Sequence, residues 1–139
     1  MPSSAPDSRL VASARSGDRQ AFGRLVRRFQ QPLARYLWAL GVRDLEPRVE
    51  DVFVTAYHDL PNASEYPSVR AWLYTLATRL MLRAARPSVL DKCVLVLCGI
   101  EGFTHAEVAA MLGRSPAAVQ AAFRRAKRRF EARMHGEVG

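Results

Sequence analysis

Residues 102–130 read GFTHAEVAAMLGRSPAAVQAAFRRAKRRF, and this stretch decides the fold. Thr104 and Glu107 stand at the T-x-x-E spacing of a capping box, in which the hydroxyl takes the N3 amide and the carboxylate takes the cap amide. They open a short helix with Val108, Ala109 and Leu112 inward. Gly113 stops it. Ser115 caps the next helix, and Pro116 sits at its first position, where an amide would have no partner in any case. Val119, Ala122, Phe123 and Phe130 then face the core. Two short helices joined by a tight glycine-containing turn make a helix-turn-helix.

Working outward, the same periodicity covers the rest of the chain. Ser88 caps a helix that ends at Gly99. Its Val94–Leu97 segment could read as a buried strand, but no second strand signal exists, so helix is the reading kept. Val69, Trp72, Leu73, Leu76, Ala77 and Leu80 mark a helix that stops near Arg86, ahead of Pro87. PNASEYP, from Pro61 to Pro67, is a loop. Pro47 suits the first turn of a helix striped by Val49, Val52, Phe53, Ala56 and Leu60. Asp18 caps a longer helix whose apolar face is Phe22, Leu25, Val26, Phe29, Leu33, Leu37 and Leu40. Pro32 lies inside it and is expected to kink or unwind it; Gly41 ends it. Leu10, Val11 and Ala14 belong to a first short helix stopped at Gly17, behind a frayed tail. The fold class is all-α.

Charge narrows the function. The 139 residues carry 21 Lys and Arg against 13 Asp and Glu, a formal +8, yet 49% of the chain is apolar. That is a folded domain and not a basic tail. The excess is sorted: RRAKRRFEAR, from Arg124 to Arg133, is strongly basic, while Asp44–Asp51 is locally acidic. A basic excess on one segment points to a polyanion. Cys93 and Cys98 are five apart and form no CxxC, which fits a reducing cytoplasm better than a disulfide scaffold. Apolar runs such as Val94–Cys98 are far too short to cross a bilayer, and the polar N-terminus lacks a signal h-region. His58, His105 and His135 are isolated, and no glycine-rich phosphate loop is present. No enzyme activity, metal or cofactor is expected, and no membrane insertion.

From Leu10 to Met134 the chain resembles a bacterial sigma-70-family factor of the small, extracytoplasmic-function type. SGDRQAFGRLVRRF from Ser16, VEDVFVTAY from Val49 and SVRAWLYTLATRL from Ser68 look like the family's region 2; the helix-turn-helix stretch looks like region 4. The RAWLY string followed by a helix-turn-helix is the more specific cue. The resemblance implies a tail at 1–7, a region 2-like helical bundle at 8–86 and a region 4-like domain at 87–139. It implies binding to core RNA polymerase and promoter DNA, with region 2 opening the −10 element and region 4 reading the −35 element. An anti-sigma factor is a further implied partner, and the cytoplasm the implied location.

The residues can be assigned on that basis. Arg114, Ser115, Gln120 and Arg124 suit a base-reading face at the start of the recognition helix, and Arg125, Lys127 and Arg128 suit phosphates. In most helices such a run is only a solvated face; after a helix-turn-helix it is placed for DNA. Strand opening needs stacking surfaces, and Tyr66, Arg70, Trp72, Tyr74 and Arg79 are the candidates, although Trp72 lies on an apolar stripe that would bury it. Glu50 and Asp51 are candidates for polymerase contact. Phe53 and Tyr57 read as core.

Several positions depart from the family pattern. Pro47 and Glu50 replace a usual acid and Gln, Thr75 and Thr78 replace basic residues, Arg79 replaces a common Asn, and Val119–Ala122 reads VQAA where V-K-S-R is frequent. The linker is also short. Arg83–Val89, fully extended, would span about 25 Å, whereas the two promoter elements lie about 70 Å apart, two turns of DNA; the halves could pack side by side. Two other readings therefore stand beside an initiation factor: a non-initiating sigma mimic that binds an anti-sigma factor or the polymerase, and a stand-alone helix-turn-helix regulator.

Overall fold

The computed structural model describes residues 6–83 and 87–138. Seven α-helices and one 3₁₀ segment are present, and no strand occurs among the described residues: α1 (Asp7–Arg15), α2 (Arg19–Ala39), α3 (Leu45–Asp59), the 3₁₀ segment Leu60–Glu65, α4 (Val69–Leu82), α5 (Pro87–Gly99), α6 (His105–Leu112) and α7 (Pro116–Val138). They form two compact units, Met1–Ala77 and Thr78–Gly139. The all-α expectation holds, including a helical α5 where a strand was the rival reading.

In the first unit α1 packs on α2, α2 on α3, and the 3₁₀ segment against α1 and α3. Asp18 starts α2 by accepting from the amides of Gln20 and Ala21 through one carboxylate oxygen, at 3.0 and 3.2 Å. Gly17 and Gly41, at φ 102° and 100°, turn the chain at either end of α2 in a region closed to most side chains. Leu25, Leu33, Tyr36 and Leu37 are at most 1% exposed; each such side chain contributes about 1.5–3 kcal/mol when fully buried. Tyr36 was missing from the stripe read in the sequence; its ring lies 5.1 Å from that of Tyr74. Pro32 does not unwind α2, which runs unbroken from Arg19 to Ala39.

PNASEYP is more ordered than a loop, because Leu60–Glu65 closes 3₁₀ turns with Leu60 and Ala63 buried. Ser68 then caps α4, its Oγ accepting from the amide of Ala71 at 3.0 Å. Every residue of α4 from Ala71 to Thr78 is buried. Such a helix has no solvent face there, so the 3.6-residue stripe understates its burial. Thr75 is accommodated by donating its hydroxyl to the Ala71 carbonyl at 2.6 Å.

In the second unit α5 and α6 both pack on α7, and on each other. Cys93, Val94, Leu97, Phe103, Val108, Met111, Val119 and Ala122 form its core. Met111 takes the inward position expected of Leu112, which is only half-buried. Tyr57 in the first unit and Phe130 in the second, both read as core, are 46% and 57% exposed. In α7 the apolar stripe continues past the last residue that the neighbouring helices cover. Both cysteines are free, and burial pushes the Cys98 thiol up, away from the reactive thiolate.

Candidate nucleic-acid interface

The helix-turn-helix is built as its sequence dictates. Thr104 Oγ1 accepts from the Glu107 amide at 3.0 Å, and Glu107 Oε1 accepts from the Thr104 amide at 2.9 Å. Gly113 ends α6 in the left-handed region at φ 64°, where a side chain would be strained. The Arg114 amide closes the turn on the Ala109 carbonyl at 2.9 Å. Ser115 Oγ then accepts from the Ala118 amide at 3.1 Å, with Pro116 opening α7.

This frame sorts the side chains of α7. Val119, Ala122 and Ala126 point into the unit. Arg114, Ser115, Gln120, Arg124, Lys127 and Arg128 are all exposed. On a helix with 100° between residues, Gln120, Arg124 and Arg128 line one outer face, with Lys127 beside Gln120. A helix that lies in a major groove needs this arrangement: a polar reader near its N-terminus and cations along the flank for phosphates.

Arg125 is differently placed. Its Nε and Nη2 donate to Asp91 Oδ2 and Oδ1, each at 3.1 Å, and Arg129 Nη2 donates to Oδ2 at 2.6 Å. The Asp91 side chain is 6% exposed, on α5. Burial alone would raise its pKa. The hydrogen bonds from Arg125 and Arg129, and then their charges, outweigh burial and hold the carboxyl below its ordinary value. Arg125 is in turn held more firmly protonated, chiefly by the hydrogen bond to Asp91. A fork-to-fork guanidinium–carboxylate pair uses the geometry a phosphate would need. Arg125 therefore fastens α7 to α5, and the exposed cations of the outer face among the described residues are Arg124, Lys127 and Arg128. On a DNA duplex, Arg124→Ala is expected to lower the slope of log K against log salt by about one and Arg125→Ala to leave it unchanged. Anisotropy titrations over a salt series would check this, and equal slopes for the two variants would refute the division of roles.

The candidates for strand opening separate in the same way. Trp72 and Tyr74 are 0% and 1% exposed. Trp72 Nε1 donates to Asp59 Oδ2 at 2.8 Å, and Arg70 lies with Cζ 5.0 Å from the centre of the Tyr74 ring. Neither aromatic ring can stack on a base in this conformation. Tyr66 is only half-buried, in the connection leading to α4, and Arg79 is exposed, with Nη2 3.4 Å from the Met111 carbonyl near the end of α6. Tyr66 is thus the one aromatic ring of the set within reach of solvent.

On α3, Glu50 and Asp51 are exposed. Glu50 lines, with Gln30, Gln31 and Glu46, a groove of about 470 Å³ between α2 and α3 whose apolar lining is Val26, Ala34, Leu45, Val49 and Phe53. Asp51 lies outside that lining. An apolar groove with acids in its lining suits a protein surface with a protruding apolar side chain and a nearby cation.

Three comparisons bear on these features. The family model described as "Sigma-70, region 4" matches residues 88–130. The chain is 36% identical over 77 residues to the RNA polymerase sigma factor CnrH of Cupriavidus metallidurans, and 34% identical over 77 residues to the sigma factor NccH of Alcaligenes xylosoxydans xylosoxydans. Those alignments cover 54% of this chain and 40% and 41% of the relatives, so the matched stretch spans about two fifths of their length. A solved structure of CnrH in complex with the cytosolic domain of CnrY superposes with a TM-score of 0.76 at 32% identity, covering 94% of this chain and 97% of that one.

Proposed function

We propose that this chain, which belongs to the sigma-70 family of RNA polymerase sigma factors and to its extracytoplasmic-function type, binds bacterial core RNA polymerase and promoter DNA as a transcription initiation factor. The observation that carries the reading is the outer face of α7. Its scaffold residues are buried, and Arg114, Ser115, Gln120, Arg124, Lys127 and Arg128 are left for bases and phosphates. Residues 8–86 act as the region 2-like part and 87–139 as the region 4-like part. Glu50, in the lining of the α2–α3 groove, and Asp51 serve polymerase contact. Tyr66 and Arg70 serve strand opening. The work is recognition and not catalysis, and it places the protein in the cytoplasm. No helix among the described residues is long and apolar enough to cross a membrane.

The test is the affinity of the labelled full-length chain for core polymerase over a salt series, followed by run-off transcription on selected promoters. Saturable binding that survives moderate salt is expected, and no binding would overturn the reading. A second partner is favoured by one finding: the similar CnrH was solved with the cytosolic domain of CnrY. A regulator of the anti-sigma kind would compete with polymerase for this chain. If the chain binds such a regulator or polymerase yet supports no transcript, the sigma-mimic reading replaces initiation. If it binds only duplex DNA, the stand-alone regulator reading does.

A further inference from the structure

A second basic surface of this protein is on α2, beside the α2–α3 groove: Gln31 lines that groove, and Arg19 lines a neighbouring hollow with Glu50. From Arg19 to Arg43 the chain contains six arginines and no Asp or Glu. One of them, Arg28, is paired with Asp7 of α1. Gln20, Arg24, Arg27, Gln31, Arg35 and Trp38 are exposed and recur at steps of three and four, so they share one face of the helix. Arg43 caps this stripe, with Cζ 4.0 Å from the centre of the Trp38 ring. At its N-terminal end Arg19, Gln20, Gly23, Arg24 and Arg27 surround a notch of about 470 Å³. The nearest acid in sequence, Asp18, is engaged in capping α2.

Two choices at this notch work against the helix. Arg24 and Arg27 are like charges one turn apart, which destabilises a helix. Gly23 lies inside α2, where Ala would be better on backbone entropy alone. Nothing in the packing requires glycine, since a Cβ there would meet only the Arg27 Nη1 atom, at 3.8 Å. A helix that accepts both costs in the same turn gains a bare backbone floor ringed by guanidinium groups, open to close approach by an anion.

We propose that this cradle on α2 binds the phosphodiester backbone of DNA, as a second phosphate-contacting surface independent of the helix-turn-helix. Nucleic acid fits better than an acidic protein for two reasons. From Gln20 to Arg35 the stripe is all Arg and Gln, residues that hold phosphate oxygens by forked or directional hydrogen bonds; Trp38, 54% exposed, ends it beneath the Arg43 guanidinium. Between Gln20 and Arg35 it exposes no large apolar side chain, which a protein interface would use as its anchor. Arg19 to Arg35 spans about 24 Å at 1.5 Å per residue, enough to follow a backbone over several phosphates.

The experiment uses the full-length chain and a fluorescein-labelled duplex of mixed sequence, titrated by anisotropy from low to moderate salt. Arg24→Ala/Arg27→Ala is expected to lower the slope of log K against log salt by about two, because each phosphate contact contributes about 0.9, and to weaken binding at least tenfold at low salt. Gly23→Ala is expected to raise the melting temperature yet weaken binding several-fold, a combination that a merely structural glycine would not give. An unchanged slope in the double-arginine variant would overturn the proposal, as would failure of the wild-type chain to bind the duplex. If the double variant instead loses binding to polyglutamate while keeping DNA, the surface is a protein site and the proposal fails. A slope lost in Arg124→Ala but not on α2 would refute only this proposal; the reverse would refute the α7 reading and leave this one standing.

Discussion

Trp72→Ala is expected to destabilise the first unit by about 3–5 kcal/mol, the range for truncating a large aromatic side chain in a packed core. The ring is 0% exposed, and its indole N–H is satisfied by Asp59 Oδ2 at 2.8 Å. The loss therefore combines apolar burial, a cavity and an orphaned acceptor. Trp72→Phe separates these contributions: it keeps most of the apolar volume and removes the donor, so about 1 kcal/mol should be lost for the hydrogen bond besides any packing defect. Asp59 retains a bond from Asn62 Nδ2 at 2.9 Å, which limits the damage. Urea titration followed by far-UV circular dichroism would measure both variants. The result also decides a functional question. A Trp72 that stacks on an extruded base would have to be exposed at some stage, and its removal would cost DNA opening and little stability. A variant as stable as wild type would return Trp72 to the stacking set; the expected loss assigns it to the core.

Trp72 also shows where the sequence stops being sufficient. Its position on an apolar stripe favoured burial, but the stripe could not tell a half-buried helix from one enclosed on all sides. Thr75 and Thr78 broke the apolar pattern, yet both are fully buried. The Thr75 hydroxyl does so by turning back on its own helix. What was legible was local. The capping box of Thr104 and Glu107, the Asp18 and Ser115 caps and the left-handed Gly113 involve partners within five residues, so spacing determines them. Phe130 marks a different limit: periodicity identifies the inward face of α7 but not the point where the helices covering it end. In α2 the helix carries on through Pro32 without unwinding, with Leu33, Tyr36 and Leu37 buried beyond it. The candidate site divided along the same line. Exposure of Gln120, Arg124, Lys127 and Arg128 followed from the stripe, whereas the engagement of Arg125 depends on a residue 34 positions away. The one available signal was Asp91 itself, an acid that with the exposed Lys92 interrupts the apolar residues of α5.

That acid carries the other large expected effect. Removing both of its partners, in Arg125→Ala/Arg129→Ala, leaves the Asp91 carboxylate, 6% exposed with those side chains in place, without a counter-charge, and stability is expected to fall at pH 7. Asp91→Asn should cost less, about 1–3 kcal/mol, because the two guanidinium groups are 47% and 54% exposed and return to water. The pH dependence distinguishes the cases. In the wild-type fold the Asp91 pKa lies below its unfolded value near 3.8. The unfolded chain therefore takes up its proton first as pH falls. The stabilisation from this group is complete above that value and is lost as pH drops through it toward the lower folded pKa. The stability gap between wild type and Asp91→Asn should be constant from pH 7 to 5 and close below about pH 4. In the double-arginine variant the hydrogen bonds and charges that lower the Asp91 pKa are gone, so the folded pKa rises toward the unfolded one and the contribution of this group to the pH dependence is lost. That variant should regain stability relative to wild type on acidification. Urea titrations of the three proteins at pH 7, 5 and 3.5 would test each step. If the double-arginine variant were as stable as wild type at pH 7, Asp91 would be hydrated in solution. The clamp between α5 and α7 would then be absent, and Arg125 would return to the phosphate-contacting face with Arg124.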